Sequence, residues 1–303
     1  MKDYIVFSLS QNLETASKLA KSMNIPIGDI KRTYFADGEV MVKTDSDVKN
    51  KDVVLIESTS KKAQEKMFEL MLLLDSLNRG QPRSITLFIP YFGFSRQERS
   101  YDNEPVSCEV VAKILETASY DKLITYDLHH PLIKTFFKKS FETYLVTDLF
   151  KDYYEKYFLT HNIKKEDVVI VAPDHGANER VDALTNALGI HKIILNKVRP
   201  MPNVAEHLDI DNKDVKNKIC IIFDDIIDTG GTIISSSKLL ISKGAKAILV
   251  GATHGVFSHD SMSKLLEAPI ENIVVTNTIE QEYDPRISVL DIYPIIHKYL
   301  NSK

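Results

Sequence analysis

The chain has 303 residues, 44% of them hydrophobic and 26% charged, a composition typical of folded globular proteins and not of disordered ones. A formal net charge of -4 excludes the strongly basic character on which most nucleic-acid binding depends. No apolar run approaches the roughly 18 residues of a membrane helix, and the apolar segment at the start is too short for a signal peptide.

Short apolar segments rich in β-branched residues recur along the chain and predict strands. In chain order they are YIVFSL, DVVLIES, SITLFIP, KLITYDL, DVVIVAP, KIILNK, KICIIF, AILVGAT and NIVVTNT. Several are almost continuously apolar, as strands covered on both faces are. Amphipathic segments between them predict helices. The one that stops at Gly80 has apolar residues at helical spacing: Met67, Leu70, Met71 and Leu74.

Strands that alternate with helices predict an α/β fold in which mainly parallel sheets are flanked by helices. The length allows two domains of ordinary size, and a second series of strands begins near residues 142–150 without a low-complexity linker. Cys108 and Cys220 lie far apart in apolar segments, so we expect free core thiols and a cytoplasmic protein.

The segment 218–240 carries the clearest chemical signal. An apolar run leads into Asp224 and Asp225, and two further apolar residues precede the sequence DTGGT, residues 228–232. We expect the two acids at the carboxyl end of a parallel strand, where α/β sheets bind their ligands. Because successive strand residues point to opposite faces, the two carboxylates need not share one task.

A carboxylate at this place can accept hydrogen bonds from the two adjacent hydroxyls of a ribose. Gly230 and Gly231 allow a tight turn, so that free amides and the dipole of the following helix can hold a phosphate. The hydroxyls of Thr229 and Thr232 add donors. This combination predicts a ribose 5-phosphate site that contains Asp224, Asp225 and Asp228 together with residues 229–232. The structural alternative is a glycine turn capped by Asp228, with solvated acids.

The loop resembles the phosphoribosyl-diphosphate loop of the type I phosphoribosyltransferase fold, which serves enzymes that consume phosphoribosyl diphosphate and the enzyme that makes it. Further segments resemble the ribose-phosphate pyrophosphokinase family, in which that compound is made, over nearly the whole chain. They are residues 34–43, 90–99, 124–130, 171–180, 195–200, 255–258 and 274–279.

The resemblance implies two phosphoribosyltransferase-like domains. We expect the ATP-side motifs in residues 1–145, the ribose 5-phosphate loop in residues 146–284, and a C-terminal segment, 285–303, that packs back on the first domain. It also implies transfer of the diphosphoryl group of ATP to the anomeric hydroxyl of ribose 5-phosphate. A homo-oligomer, either a dimer or a hexamer, is implied because the family's adenine contacts cross subunits.

For ATP, the resemblance implies that Phe35, Asp37 and Glu39 lie against the adenine. A phenylalanine ring can cover the base, and a carboxylate can accept from its amino group. From the residues alone, this segment predicts only a surface turn. Arg96 and Gln97 match the family's ATP-contacting pair, and a guanidinium suits a polyphosphate.

His129 and Asp174 match residues that the family assigns to Mg²⁺ near the phosphates, and His129 also belongs to the predicted ATP site. Mg²⁺ prefers oxygen ligands and retains several waters, so His129 can equally bind phosphate oxygens while Asp174 and water complete the metal shell. A lone histidine at the end of a strand is otherwise a structural residue.

Lys197 and Arg199 are the predicted catalytic residues, because two cations can stabilise the charge that builds on the transferred phosphoryl group. The alternative is that they merely end a strand. Arg199 also belongs to the predicted ribose 5-phosphate site. The family match assigns Asp224 to the ribose and leaves ribose and metal roles open for Asp225.

Two other functions remain open. A phosphoribosyltransferase that transfers phosphoribose to a base would use the same loop, but the ATP-side motifs and Lys197 argue against it. A non-catalytic regulatory homologue would have lost catalytic positions, and here they are intact.

Overall fold

The computed structural model describes residues 3–198, 207–209, 212–281 and 284–302. The chain divides into two compact units. Unit 1 comprises the described residues up to Tyr144 together with 278–280 and 291–302, and unit 2 comprises those of 145–277 and 281–290. Among the described residues, no helix combines the length and the apolar character needed to cross a membrane.

Unit 1 is built on a parallel sheet flanked by helices. Its elements in chain order are β1 (Tyr4–Phe7), α1 (Leu13–Met23), β2 (Lys31–Tyr34), β3 (Val40–Lys43), β4 (Asp52–Ile56), α2 (Ala63–Arg79), β5 (Ser84–Phe88), α3 (Ser107–Thr117), β6 (Lys122–Tyr126) and β7 (Ser140–Tyr144). A short 3-10 helix, Pro131–Phe136, precedes β7. The described strands form a sheet of order β1-β4-β5-β6-β7 in which every pairing is parallel, whereas β2 and β3 form a separate antiparallel hairpin.

Unit 2 contains a second parallel sheet. Its elements are α4 (Thr147–Thr160), β8 (Val168–Ala172), α5 (Asn178–Leu188), β9 (Lys192–Ile194), β10 (Asn196–Val198), β11 (His207–Asp209), α6 (Asn212–Val215), β12 (Ile219–Ile227), α7 (Gly231–Ser242), β13 (Ala247–Gly255), α8 (Ser261–Glu267), β14 (Asn272–Thr276) and β15 (Ile287–Leu290). Within the described part of the chain the sheet order is β15-β14-β13-β12-β8-β9, and β10 and β11 form an antiparallel hairpin.

The apolar patterns in the sequence correspond to these elements. Every segment predicted as a strand contains one, and the amphipathic segment before Gly80 is α2. On α2, the leucines at helical spacing face the core: Leu70, Leu73, Leu74 and Leu77 are fully buried. The predicted α/β fold with parallel, helix-flanked sheets is therefore confirmed.

The two cysteines are buried and free, as the sequence predicts. Burial raises the pKa of both thiols to about 12, so neither forms a thiolate near neutral pH. This protonation leaves them as small apolar core residues.

The last residues of the chain contribute one strand to unit 2 and one helix to unit 1. The sequence predicts residues 285–303 as one segment that packs on the first domain. In the structure, β15 pairs with β14 in the sheet of unit 2. The final helix, α9 (Tyr293–Asn301), belongs to unit 1, where it contacts α1.

The strand with the two acids is longer than the sequence pattern predicts. Asp224 and Asp225 do not follow the strand but lie within β12, which continues to Ile227. The reason is the neighbouring strand β13, whose last residues, His254 and Gly255, still pair with the end of β12. The acids therefore lie in its last half, and the turn begins at residue 228.

Candidate active site

Two carboxylates in the last half of β12 share one guanidinium. The side chain of Asp224 is 20% exposed, whereas that of Asp225 is 4% exposed. Nη1 of Arg180, in α5, lies 3.4 Å from Oδ1 of Asp224 and 3.3 Å from Oδ1 of Asp225. The backbone amide of Asp225 also donates to Oδ1 of Asp224 at 2.8 Å. The acid pair is thus fixed by its own strand and by α5, and Asp224 is the more accessible member.

The surroundings of Asp224 favour its protonated form. Burial raises the pKa of Asp224 well above its ordinary value, the negative charge of Asp225 raises it further, and Arg180 opposes the rise. Sequence reasoning missed Arg180. It stands at the end of the segment 171–180, but only the packing of α5 against β12 reveals its partners.

The DTGGT segment forms the turn between β12 and α7. Gly230 has φ of +76° and caps the helix, a conformation that residues other than glycine seldom adopt. Thr229, Gly231 and Thr232 are exposed. The first amides of a helix have no acceptor within it. No oxygen of the described residues accepts a hydrogen bond from the backbone amides of residues 229–232.

An anion is the natural partner for such a turn. The amides stand at the positive end of α7, a helix of 12 residues, and two threonine hydroxyls flank them. Asp228 precedes the turn and is half-buried. The arrangement can hold a phosphate at the turn and accept hydrogen bonds from sugar hydroxyls at Asp224.

Asp174 lies at the same edge of the sheet. It follows β8, which runs parallel to β12 as its direct neighbour, so both strands end on one side. Oδ1 of Asp174 accepts a hydrogen bond from the amide of Gly176 at 2.8 Å. Asp174 therefore offers a half-buried carboxylate near the end of β12.

Lys197 is carried by the β10–β11 hairpin. Its backbone pairs with Leu208, and β11 contacts α7, the helix that follows the DTGGT turn. The side chain of Lys197 and the whole of Arg199 lie outside the described residues. Of the two predicted catalytic residues, the structure therefore describes only the backbone of Lys197.

In unit 1, the residues predicted to contact adenine form the tip of the β2–β3 hairpin. The amide of Phe35 donates to the carbonyl of Glu39 at 2.8 Å, and Gly38 turns the chain at φ of +92°. Oδ1 of Asp37 accepts from the amide of Glu39 at 3.1 Å. The Phe35 side chain is exposed, as are Asp37 and Glu39, so the tip presents a ring and two carboxylates to an incoming group.

Arg96, Gln97 and His129 follow two neighbouring strands of unit 1. Arg96 and Gln97 are exposed in the loop after β5, and His129 is half-buried after β6. Because β5 and β6 are parallel neighbours, these loops emerge at one edge of the sheet. Ser107 donates to the side-chain carbonyl of Gln97, which orients the amide.

The described residues contain no cluster of three or more His, Cys, Asp or Glu side chains arranged to hold a metal ion. His129 belongs to unit 1 and Asp174 to unit 2. Mg²⁺ is commonly held by one or two carboxylates together with substrate phosphates and water. Asp174 and the acid pair of β12 fit that chemistry.

Family models match both parts of the chain. The N-terminal domain of ribose phosphate pyrophosphokinase matches residues 4–119, and the phosphoribosyl synthetase-associated domain matches residues 166–299.

Curated relatives and a solved structure agree with these matches. Ribose-phosphate pyrophosphokinase 1 of Listeria monocytogenes is 35% identical over 295 residues, covering 96% of this chain and 91% of the relative. Ribose-phosphate pyrophosphokinase of Mycoplasma pneumoniae is 35% identical over 309 residues, covering 98% and 92%. The crystal structure of phosphoribosylpyrophosphate synthetase from Mycobacterium smegmatis has a TM-score of 0.89 and 30% identity, and the match covers 99% of this chain and 98% of that one.

Proposed function

Because the chain belongs to the ribose-phosphate pyrophosphokinase family, we propose that it transfers the diphosphoryl group of ATP to the anomeric hydroxyl of D-ribose 5-phosphate. The products are 5-phosphoribosyl 1-diphosphate, used in nucleotide biosynthesis, and AMP. The protein is a transferase with the phosphoribosyltransferase fold. The observation that carries the proposal is the run of backbone amides at residues 229–232, next to the acid pair, that no described residue uses.

Ribose 5-phosphate is proposed to bind across the β12–α7 turn. Its phosphate takes the amides of residues 229–232 and the hydroxyls of Thr229 and Thr232, where the helix dipole favours negative charge. Its hydroxyls donate to Asp224, the more exposed acid. Asp225 holds Arg180 in place, which keeps a positive charge beside the carboxylate that receives the sugar.

ATP is proposed to bind at the loops of unit 1. The ring of Phe35 covers the adenine, and Asp37 or Glu39 accepts from its amino group. Arg96 and His129 contact the polyphosphate, and Gln97 adds a side-chain amide whose direction Ser107 fixes. The exposed hairpin tip supports a base site that a second copy of the chain completes, and a homo-oligomer, dimer or hexamer, is part of the proposal.

In the transfer step, the anomeric oxygen forms a bond to the β-phosphorus of ATP. The bond from that phosphorus to the oxygen shared with the α-phosphate breaks, and AMP leaves with the oxygen. The hydroxyl proton passes to water as the new bond forms, and such transfers need little prior proton abstraction. Lys197 and Arg199 stabilise the negative charge on the transferred group and on the AMP oxygen.

Mg²⁺ is the proposed cofactor, and it would neutralise phosphate charge when bound. Asp174 would supply a carboxylate oxygen to it, and His129 either a ligand or a contact to the phosphates. The cytoplasm is the proposed location, because ATP and sugar phosphates are supplied there.

The test is to incubate the purified protein with Mg²⁺ and ATP, with and without ribose 5-phosphate, and to follow AMP. We expect AMP only when ribose 5-phosphate is present. No AMP, but consumption of phosphoribosyl diphosphate when a nucleobase is added, would instead indicate a phosphoribosyltransferase. Silence in both assays would indicate a non-catalytic homologue.

A further inference from the structure

We infer that Glu69 of α2 is a positioning residue for nucleotide binding, which acts by holding the tip of the β2–β3 hairpin in place. This inference rests on the proposed function, because it concerns the ATP side of that reaction. A two-stranded hairpin is at best marginally stable in water and depends on what it packs against. The β2–β3 hairpin lies outside the parallel sheet of unit 1, and its tip is exposed.

Glu69 binds one face of β2 with both of its carboxylate oxygens. Oε2 accepts from Nε of Arg32 at 3.2 Å, and Oε1 accepts from the hydroxyl of Tyr34 at 3.3 Å. Arg32 and Tyr34 are two residues apart and therefore point to the same face of the strand. Since Tyr34 directly precedes Phe35, the second contact fixes β2 at the point where the tip begins.

The charge of Glu69 is itself compensated. Glu69 is 4% exposed, and Nζ of Lys66, one turn earlier on α2, lies 3.5 Å from Oε2. With Arg32 on the other side, two cations flank one buried carboxylate, and loss of the anion removes the compensating charge from Arg32. The contact between Glu69 and β2 is therefore a buried ion pair and not a solvent-exposed one. We call it the anchor of the hairpin.

Apolar packing does not hold β2, whose four residues are exposed or half-buried. A cavity of ≈ 640 Å³ opens between the tip and α2, and its lining includes Gly38, Glu39 and Phe68. The other attachments of the hairpin are on β3, where Val40 packs against the core of unit 1, Val42 is buried and the amide of Thr44 donates to the hydroxyl of Ser76 at 3.1 Å. We therefore expect that loss of Glu69 leaves β3 attached and frees β2, from which the tip extends.

The test is Glu69→Gln, which keeps the size of the side chain and removes its charge. The KM for ATP should rise by about tenfold or more, while the KM for ribose 5-phosphate stays within about twofold, because only one substrate depends on the hairpin. Hydrogen exchange at the tip amides of Phe35 and Gly38 should accelerate by about tenfold or more, with exchange in β4 and β5 unchanged.

The matched control is Asp75→Asn, farther along the same helix and outside the lining of that cavity, where the carboxylate is exposed and pairs with Arg79. It should change neither KM nor the exchange at the tip. Tyr34→Phe removes one of the two strand contacts and should shift the KM for ATP and the exchange in the same direction, by less. If Glu69→Gln does not fold, Tyr34→Phe decides the matter by these two readouts.

An unchanged KM for ATP together with unchanged tip exchange would overturn the inference. So would an equal rise in the KM of both substrates, which is what general loosening of the protein produces. If the unmodified protein forms no AMP, the proposed function fails and the nucleotide role of Glu69 fails with it. The exchange experiment still reports separately whether Glu69 anchors the tip.

Discussion

The side chain of Leu265, in α8, lies directly against the α-carbon of Gly230. A Cβ added at Gly230 would be 2.9 Å from Cγ of Leu265, closer than two carbons can pack. Leu265 is itself fully buried and belongs to the core of unit 2. The turn that we propose for phosphate binding thus packs directly against the core of unit 2. Its shape depends on the absence of a side chain at Gly230.

Gly230→Ala should therefore impair ribose 5-phosphate binding specifically. The substitution adds a Cβ at φ of +76° and pushes the turn away from Leu265, so the amides of residues 229–232 lose their alignment. Steady-state kinetics should show a KM for ribose 5-phosphate that is higher by about tenfold or more and a KM for ATP within about twofold.

Gly189→Ala is the matched control for this change. Gly189 also has a positive φ, +67°, but apart from its chain neighbours and its own helix backbone no atom of the described residues lies within 4 Å of an added Cβ. It should lose about 1 kcal/mol of stability from backbone strain and keep both KM values. Equal effects of the two substitutions on the KM for ribose 5-phosphate would contradict the role of the turn.

The raised pKa of Asp224 predicts how kcat/KM for ribose 5-phosphate depends on pH on the acid side of its profile. Only the ionised carboxylate accepts hydrogen bonds from both ribose hydroxyls, so kcat/KM for ribose 5-phosphate should rise with pH through that pKa. Asp225→Asn removes a neighbouring negative charge and should move the limb to lower pH. Arg180→Met removes the opposing positive charge and should move it to higher pH. Superimposable limbs in all three proteins would refute the assignment of Asp224.

The same pKa also predicts how stability depends on pH. A carboxyl whose pKa is higher in the folded state than its ordinary 3.8 contributes stability below pH about 3.8 and loses it as pH rises through the folded value. Asp224→Asn cannot ionise, so its gain in Tm over the unmodified protein should be larger at pH 8 than at pH 4. Asp152→Asn, where the carboxylate is 78% exposed, is the control and should show no such difference.

Glu57 should be a major source of stability in unit 1. It is fully buried, and its carboxylate accepts hydrogen bonds from the amides of Leu9, Ser10 and Gln11. Each buried donor left without an acceptor costs about 1–3 kcal/mol, so Glu57→Ala should lower the free energy of unfolding by about 3 kcal/mol or more. Denaturant titration measures this, and formate, which fits the vacated space, should restore part of the loss.

Glu14→Gln is the control for Glu57, because the Glu14 side chain is 62% exposed on α1. It should change the free energy of unfolding by less than about 0.5 kcal/mol. If Glu57→Ala were no more destabilising than this control, the amides of the β1–α1 loop would have to be satisfied by water, and the structural role of Glu57 would be wrong.

Strands buried on both faces could be predicted from the sequence because they consist of uninterrupted runs of apolar residues. The elements that were missed are short or polar and gain their stability from tertiary contacts. The β2 strand, KRTY, is largely exposed and depends on the buried carboxylate of Glu69, a residue 35 positions away from Tyr34. Periodicity over a local window does not contain this distant contact.

The candidate site also has one part that the sequence predicts and one part that only the structure reveals. The acid pair and the DTGGT turn are contiguous in sequence, and their chemistry could be inferred from residue type and order. Arg180 is 44 positions from Asp224, and only the approach of α5 to β12 brings its guanidinium to the acids. The pKa of Asp224 follows from that approach and from burial, so it too required the structure.

Lys197→Ala tests the transfer step itself. The backbone of Lys197 lies on a hairpin whose partner strand contacts α7, the helix that begins at the proposed phosphate turn. A cation that acts on charge developed in the transition state contributes to kcat and little to substrate affinity, so kcat should fall by about 10²–10³-fold or more, with the KM for ATP within about threefold. Single-turnover measurement of AMP formation separates the chemical step from product release.

The control for Lys197→Ala is Lys216→Ala. Lys216 is an exposed lysine after α6, and its substitution should leave kcat unchanged. A loss of kcat below about tenfold would contradict a role of Lys197 in stabilising the transferred group, and a raised KM for ATP with unchanged kcat would show that Lys197 binds the substrate instead.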